Sequence, residues 1–232
     1  MPSDKEYKET KQIVLGQKVM KPEFIELAEW IDKTYEVKTT NIIYDTFIAA
    51  RKKQSRLQIC FEFESESLKF QDGPLGNFYE TKQTAIAQKF MEILRTEKSA
   101  DSGKLLNIFR TSKYITDNIL IVFSAFEPIA RIEANESVPE SKVKALKHEL
   151  ENNDIWEISR AFGGTTIFLY TDEQVKKYEN SAEHKKWTDK YFDLLSQYDE
   201  FGYFKLEFFS VYLDSKENFD NNYESNWYYY YK

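Results

Sequence analysis

Apolar positions along the chain follow two periods, one typical of helices and one typical of strands. The clearest helical stripe lies within Tyr79–Arg95, and a second lies within Glu183–Tyr198 at a shift of 101 positions. The pattern predicts two equivalent amphipathic helices, although two unrelated helices can share such a stripe by chance. The matched positions are Ile86 with Trp187, Phe90 with Tyr191, Ile93 with Leu194, and Leu94 with Leu195.

Each of these helices is followed, at the same distance, by a run of residues typical of a strand. The runs are Lys104–Phe109 and Lys205–Ser210, and the same shift of 101 positions relates them. Because the helix and its spacing to the strand both recur, we interpret the chain as a tandem duplication. This interpretation requires Leu105–Phe109 and Leu206–Ser210 to occupy equivalent positions in two sheets.

The predicted elements come in the same order in both halves: strand, helix, strand, strand, helix, strand. That order is typical of a ferredoxin-like βαββαβ unit, an antiparallel sheet with two helices on one face. We therefore predict an α+β protein of two tandem ferredoxin-like units with mainly antiparallel sheets. A disordered segment covers residues 1–10, the first unit 11–116, and the second unit 117–232 with an extra C-terminal strand. The alternative is a single larger sheet covered by four or five helices.

In the first half, strand and helix signals alternate in short segments. Pro22 is expected to open a helix, because a proline at the first helical position loses no hydrogen bond. Its buried face is expected to carry Phe24, Leu27, Ala28, Ile31 and Tyr35. The near-continuous apolar run Ile119–Phe126 is expected to be central in a sheet. The other predicted strands are Gln12–Met20, Asn41–Ile48, Arg56–Glu64 and Leu105–Ile115, and a glycine-rich turn is predicted at Asp72–Gly76.

In the second half, two β-rich runs flank a pair of glycines. Ile155–Phe162 and Thr165–Tyr170 are expected to form a tight hairpin through Gly163–Gly164, because such turns need positive φ. Two helix starts are predicted from capping residues, one at Ser137 with Glu140 and one at Thr171 with Gln174. Beyond these lie a predicted helix at Glu183–Tyr198, a strand at Phe204–Leu213, an acidic loop at Asp214–Ser225 and a last strand at Asn226–Lys232.

The charge is uneven along the chain. Residues 1–116 hold 19 basic and 17 acidic side chains, whereas residues 117–232 hold 13 basic and 22 acidic, within a net charge of −7. An acidic half favours basic partners and makes nucleic acid an improbable ligand; ordinary solubility is the alternative reason for it. The chain shows no apolar run long enough for a membrane span and no signal peptide, so we expect a cytoplasmic protein.

Side chains with catalytic or metal-binding chemistry are sparse. Cys60 lies in an apolar run and is expected to be a buried thiol. His148 and His184 have no ligand-type neighbours at metal-binding spacing, so both are expected at the surface, and we predict no metal, cofactor or catalytic residue. Glu62, Glu64 and Glu66 alternate along a predicted strand and suggest a metal-dependent nuclease face; a solvated edge strand is the simpler interpretation. The basic segment Arg51–Arg56 suggests either a phosphate contact or a solvated hairpin tip.

The C-terminal segment combines aromatic and acidic side chains. A strand points alternate residues to opposite faces, so Trp227, Tyr229 and Tyr231 are expected to face the core while the intervening tyrosines stay exposed. Tyrosine and tryptophan beside acids are typical of a protein interface, although a sheet edge packed over by loops is the alternative. The predicted partner-binding residues are Asp214, Glu217, Asp220, Tyr223, Glu224, Trp227, Tyr228 and Tyr230.

The segment Ile158–Asp172, with its central Gly163–Gly164, an amphipathic helix and the late Trp227–Tyr230, resembles a broad group of bacterial ferredoxin-like proteins. That group includes the RNase E regulator B type and related families of unassigned function. The resemblance covers about a third of the chain, in the C-terminal half. It implies a protein-binding or regulatory role, and it carries no catalytic residues that could be transferred to this sequence.

Together these features lead to one main hypothesis and two alternatives. The main hypothesis is a non-catalytic, cytoplasmic bacterial protein of the immunity or inhibitor type, which occludes a basic partner such as a toxin. One alternative is a metal-dependent hydrolase or nuclease that uses Glu62, Glu64 and Glu66. The other is a small-molecule sensor with its ligand between the two halves. The oligomeric state and the identity of the partner stay open.

Overall fold

The computed structural model describes residues 1–49, 52–73, 77–101, 114–116 and 118–232. The chain divides into two compact units. The N-terminal unit comprises residues 3–127, and the C-terminal unit comprises residues 128–232 together with residues 1–2. The boundary therefore follows Glu127 and not residue 116, where it was expected. Both units mix helices and strands, which confirms the α+β class.

The N-terminal unit consists of a helical start, a long β-hairpin, a long helix and a last strand. A 3₁₀ turn at Pro22–Phe24 leads into the second helix, as the proline predicted. The elements are α1 (Lys5–Val14), α2 (Ile25–Tyr35), β1 (Thr39–Ala49), β2 (Lys52–Phe61), α3 (Glu64–Leu68), β3 (Gln71–Asp72), β4 (Asn77–Phe78), α4 (Glu80–Asp101) and β5 (Leu120–Ala125).

The main sheet of the N-terminal unit has the order β1-β2-β5 among the described residues. β1 and β2 are antiparallel, and β5 runs parallel to β2. β2 therefore has a partner on each side, whereas β5, which lies within the run Ile119–Phe126, pairs with β2 alone among the described residues. The central place predicted for that run stays a prediction. One sheet face, with Ile42, Ile59 and Phe123 in one cross-strand row, packs on the apolar stripes of α2 and α4.

The C-terminal unit repeats the same kind of arrangement with shorter elements. It contains α5 (Phe126–Ser137, which starts at the last two residues of the N-terminal unit), α6 (Glu140–Glu149), β6 (Ile155–Ala161), β7 (Gly164–Leu169), α7 (Asp172–Tyr178), α8 (Ala182–Leu195), β8 (Tyr212–Ser215), α9 (Lys216–Tyr223) and α10 (Trp227–Tyr230). The sheet order is β6-β7-β8, with an antiparallel hairpin followed by a strand parallel to its second member.

Among the residues that the structure describes, the two units share an order of elements that is not the predicted βαββαβ order. In each, a hairpin is followed by two helices and then by a strand parallel to the second hairpin strand. The two helical stripes at a shift of 101 lie in α4 and α8, the second helix of each pair, and both stripes are buried. The main described sheet of each unit has three strands in this order, so tandem ferredoxin-like units are not confirmed.

The strand half of the predicted repeat does not coincide with the parallel strands. Leu105–Phe109 lies outside the described residues, and Leu206–Phe208 forms a 3₁₀ turn. The parallel strands are β5 and β8, whose first residues are 92 positions apart (212 minus 120). The helical stripes recur where burial against a sheet requires them, whereas the connection from the helix to the parallel strand differs in length between the two units.

The N-terminus is ordered, contrary to the expectation of a disordered segment at 1–10 and a strand at Gln12–Met20. Helix α1 spans Lys5–Val14, and a turn and irregular backbone follow up to Met20. The helix buries Tyr7 and Thr10, three positions apart on one face. The Tyr7 ring stacks on Phe126 at 5.1 Å between centroids. The Asn41 amide donates to the Thr10 hydroxyl at 3.1 Å. Two anchor residues among charged neighbours give too weak a periodic signal for sequence patterns to reveal the helix.

Capping residues explain the other differences in the C-terminal unit. Ser215 and Asn226 cap α9 and α10, so the predicted acidic loop and last strand are helical. The predicted strand Phe204–Leu213 is mostly irregular, with β8 starting only at Tyr212. Ser137 ends α5, so the capping box predicted there is absent and Pro139 precedes α6 instead. The box at Thr171 is confirmed.

A buried polar network ties α5, β7 and α8 together. The Tyr191 hydroxyl donates to the Asn135 side-chain oxygen at 2.7 Å, and the Asn135 amide donates to the Gly164 carbonyl at 2.9 Å. The Arg160 guanidinium donates to the Asn135 carbonyl at 2.9 Å. Burial raises the pKa of Tyr191. Because each partner is satisfied, the network fixes the position of α8 against the hairpin.

Removing the Tyr191 hydroxyl is expected to destabilise the protein. Tyr191→Phe takes the donor away from the Asn135 side-chain oxygen inside the core, and an unsatisfied buried acceptor costs about 1–3 kcal/mol of unfolding free energy. Urea titration followed by circular dichroism measures the change. Tyr170→Phe, at a tyrosine that is 46% exposed, is the matched control and is expected to stay within about 0.5 kcal/mol. Equal stability of the two variants would contradict the importance of the network.

Candidate protein-binding surface

The sheet of the C-terminal unit is covered on both faces. Directly paired strand residues lie on the same face, and one face carries the row Ile158, Ile167 and Leu213, which packs on α6 and α8. The opposite face carries Ser159, Thr166 and Tyr212 in one row and Phe168 beside Asp214 in the next. The C-terminal segment with α9 and α10 lies over this second face.

Phe168 is the centre of that cover. Its side chain is fully buried, and the rings of Trp227 and Tyr230 each meet it at 5.2 Å between centroids. Phe219 of α9 lies 4.2 Å from Trp227 between ring centroids, and Trp227 stacks on Trp156 at 6.0 Å. Much of the late aromatic segment is therefore core-like packing over a sheet face.

The acidic side chains of the segment are largely engaged within the unit. Asp214 accepts the Tyr230 hydroxyl at 2.5 Å and the Asn218 amide at 2.9 Å. Burial, and then the bond to Asp214, raise the pKa of Tyr230. Asp220 accepts from the Lys216 ammonium, and that bond holds the pKa of Asp220 below its usual value. These two carboxylates position α9 and α10.

The eight predicted partner-binding residues therefore fall into two groups. Five of them are tied into the internal contacts: Asp214, Asp220, Tyr223, Trp227 and Tyr230. Glu217 is exposed and also accepts the Asp172 amide N–H at 3.1 Å. Tyr228, at 68% exposure, and Glu224 point to solvent. The surface that remains for a partner is smaller than the sequence indicated.

The expected alternation of faces is wrong because the segment is a helical turn. With a helical period, Trp227 and Tyr230 fall on one side and face the sheet. Tyr228 and Tyr229, their rings 5.9 Å apart, fall on the other side and are 68% and 48% exposed. We refer to Tyr228 and Tyr229 as the tyrosine pair.

A second exposed aromatic group lies at the apex of the β6–β7 hairpin. Phe162 in the turn is 71% exposed, and its ring is 6.4 Å from that of Tyr231. Tyr212 on β8 is 66% exposed and lies beside Gly164. We refer to Phe162, Tyr212 and Tyr231 as the apex patch. Sequence reasoning missed it because the turn was placed at Gly163–Gly164; an aromatic residue next to a turn glycine was the available signal.

The carboxylates of the proposed nuclease face do not share a strand face. β2 ends at Phe61, and α3 starts at Glu64. The Glu66 carboxylate accepts the backbone N–H groups of Lys38 at 2.7 Å and Phe63 at 3.2 Å. Among the residues that the structure describes, no group of three or more histidine, cysteine, aspartate or glutamate side chains is placed to hold a metal ion.

The remaining candidates from the sequence have structural partners or lie at the surface. The Arg56 guanidinium binds Asp45 through two hydrogen bonds of 3.0 and 2.5 Å, so it belongs to β2 and not to a loop; Arg51 lies outside the described residues. His148 is exposed. The His184 ring nitrogen Nε2 lies 2.9 Å from the Val211 carbonyl. The small-molecule site expected between the halves stays a prediction.

No protein-family model, no curated protein and no solved structure matches this chain. The resemblance to bacterial ferredoxin-like proteins of the RNase E regulator B type therefore stays a prediction. Within the described ranges, every helix is too short or too polar to cross a membrane.

Proposed function

We propose that the protein is a non-catalytic bacterial protein-binding protein of the immunity or inhibitor type, which acts in the cytoplasm. Its C-terminal unit would cover the functional surface of a basic partner, such as a toxin. The observation that supports this proposal most directly is the tyrosine pair, two adjacent exposed aromatic side chains on a rigid base. Tyrosine supplies a large contact area with few rotatable bonds, and such residues dominate binding energy at interfaces.

The base of the tyrosine pair supports a preformed binding surface. Trp227 and Tyr230, the neighbours of the pair in α10, are fixed by stacking on Trp156 and by the hydrogen bond to Asp214. Asn226 caps the helix through its side chain. A surface that is already ordered loses little conformational entropy on binding, which favours affinity.

The distribution of charge supports a basic partner. Residues 128–232 hold 20 acidic and 13 basic side chains, whereas residues 1–127 hold 19 of each, so the whole net charge of −7 belongs to the C-terminal unit. Glu217 and Glu224 are exposed at either end of α9, close in sequence to the tyrosine pair. A negative surface of this kind attracts a positive partner and raises the association rate.

The first test is recovery of the partner from the native host with three full-length baits. The baits are the unchanged protein, the double variant Tyr228→Ser with Tyr229→Ser, and Phe208→Ser, which removes an aromatic side chain that is 83% exposed elsewhere in the unit. We expect a basic protein on the first and third baits and about tenfold less on the second, since loss of an interface anchor costs more than about 1.4 kcal/mol. Equal recovery on all three would contradict this assignment of the surface.

The on-rate of that purified basic protein is expected to depend strongly on salt. Between about 20 mM and 500 mM NaCl, the association rate should fall by about tenfold or more, because screening weakens long-range attraction between opposite charges. Surface plasmon resonance with the chain immobilised measures this rate. An association rate that does not change across the range would show that the acidic surface does not steer binding.

A further inference from the structure

The apex of the β6–β7 hairpin holds an aromatic residue in a conformation that side chains avoid. Ala161 pairs with Gly164, so the two turn residues are Phe162 with φ 50° and Gly163 with φ 81°. A two-residue turn with positive φ at both positions strongly favours Asn-Gly, because asparagine tolerates the left-handed region. Phenylalanine at this place is a less stable choice than asparagine.

The surroundings hold the turn in this shape. Gly163 approaches α5 so closely that a Cβ atom there would lie 3.3 Å from the Ile132 side chain. The Asn135 amide, one turn further along α5, donates to the Gly164 carbonyl at 2.9 Å. The backbone of the turn is therefore held against α5, and the Phe162 side chain is 71% exposed. A strained residue whose side chain contributes little burial is a sign of a functional role.

Two tyrosines lie beside the turn, one near Phe162 and one near Gly164. The Tyr231 ring meets Phe162 edge-on, and its hydroxyl donates to the Ser159 hydroxyl at 2.7 Å. Tyr212 is paired with Thr166, in the same row as Ser159. Gly164 has no side chain, and a Cβ atom there would come within 3.9 Å of the Tyr212 ring. Phe162 is the most exposed of the three residues in the apex patch.

We infer that Phe162 is the apolar anchor of the interaction surface and inserts into a socket on a basic protein. This inference rests on the proposed function and adds the chemistry of the contact: an apolar pocket on the partner, bordered by lysine or arginine. The acidic excess of residues 128–232 favours such a border. A second copy of this chain is disfavoured as the occupant, because it would bring the same acidic surface against itself.

The test variant separates stability from binding. Phe162→Asn creates the favoured turn sequence, so the urea midpoint of unfolding is expected to rise. The same variant is expected to weaken binding of the basic protein recovered above by about 30-fold or more, as removal of a central anchor does. Phe162→Tyr keeps the ring and is expected to bind within about threefold of the unchanged protein. If Phe162 had only a structural role, Phe162→Asn would instead lower the urea midpoint of unfolding.

Site-specific photocrosslinking in the native host identifies the occupant. p-Benzoylphenylalanine is placed at position 162 of the full chain, with position 208 as the matched exposed control. A crosslink to the basic protein from 162 and none from 208 supports the inference, provided that Phe162→Asn is both more stable and weaker in binding. A crosslink to a second copy of the chain, or no crosslink, overturns it.

The outcomes also separate this inference from the proposed function. If the basic protein is recovered and Phe162→Asn binds it as tightly as the unchanged chain does, the anchor is wrong and the proposed function stands. If no basic protein is recovered on any bait, both are wrong. An unfolding midpoint for Phe162→Asn at or below that of the unchanged protein overturns the argument from backbone strain.

Discussion

Phe168→Ala is expected to lower the free energy of unfolding of the protein by about 3–5 kcal/mol, the usual cost of truncating a buried aromatic ring. The Phe168 side chain has no exposed surface, and four aromatic rings lie within 6.1 Å of it between centroids. Removing it leaves a cavity between β7 and the C-terminal segment. Because that segment packs on the second face of the sheet through Phe168, α9 and α10 are expected to detach before the rest of the unit unfolds.

Two measurements check this expectation. Urea titration gives the loss of stability, and limited proteolysis reports whether residues 216–232 become cleavable under native conditions. Phe208→Ala is the matched control, because that ring is 83% exposed and its removal is expected to change stability by less than about 0.5 kcal/mol. If Phe168→Ala costs no more than Phe208→Ala, the C-terminal segment does not depend on this packing.

Sequence patterns predicted correctly the helices and strands in which buried positions recur at a regular period. The stripes of α4 and α8 and the hairpin β6–β7 each carry enough buried apolar positions to reveal their period. The hairpin turn itself was misplaced by one residue, because Phe162 occupies a position where glycine or asparagine is expected. Residue preferences for turns predict the position of a hairpin turn only where the turn residues of the sequence match those preferences.

The C-terminal segment shows why the candidate site was only partly predictable. Four consecutive tyrosines have strong β propensity, so the sequence favoured a strand. The structure forms a helical turn instead, because Asn226 caps it and Phe168 offers a surface for Trp227 and Tyr230. The contact with Phe168, which lies about 60 positions away in the sequence, is not visible in a local pattern. The change of period turns Tyr230 toward the sheet and exposes Tyr229 in its place, while Tyr228 is exposed as predicted. The proposed contact thereby moves to the tyrosine pair.

On the second sheet face of the N-terminal unit, a segment distant in the sequence also covers the strands, and there the segment is helix α1. There, Asn41, Cys60 and Ser124 form one cross-strand row. Helix α1 covers the row through Thr10, whose hydroxyl accepts the Asn41 amide, and the Cys60 thiol donates to the Phe61 carbonyl at 3.5 Å. Each unit thus uses a segment near one end of the chain to cover a sheet face that its main helices leave free. The expectation of a buried thiol at Cys60 is confirmed, whereas the covering helix was not predicted.

The Cys60 thiol is expected to be nearly inert in the folded protein. Burial raises the pKa of Cys60 from about 9 to about 11. At pH 7.5 the thiolate, which is the reactive form, is therefore about 100-fold rarer than for an ordinary cysteine, and steric exclusion slows the reaction further. Reaction with Ellman's reagent is expected to be at least about 100-fold slower in buffer than in 6 M guanidinium chloride. Comparable rates in the two solvents would contradict burial under α1.

The same raised pKa predicts a dependence of stability on pH. The folded state keeps the thiol protonated to a higher pH than the unfolded chain does. The contribution of Cys60 to the free energy of unfolding is therefore fully present below about pH 9 and is lost as the pH rises through about 11. Because tyrosines titrate in the same range, the comparison is with Cys60→Ala. The unchanged protein is expected to lose more stability than this variant between pH 9 and pH 11, and parallel curves would show that the thiol does not contribute.

Release of α1 is expected to expose the thiol without unfolding the sheet. Tyr7→Ser removes the ring that stacks on Phe126, the main aromatic contact of this helix, and should raise the reaction rate of Cys60 by about tenfold or more, because local opening then needs less free energy. Lys8→Ser, on the exposed side of the same helix, is the control and should leave the rate unchanged. Since the two substitutions differ by one position, a difference between them measures the docking of α1 and not its helical propensity. Equal rates would mean that the thiol is protected by the sheet alone.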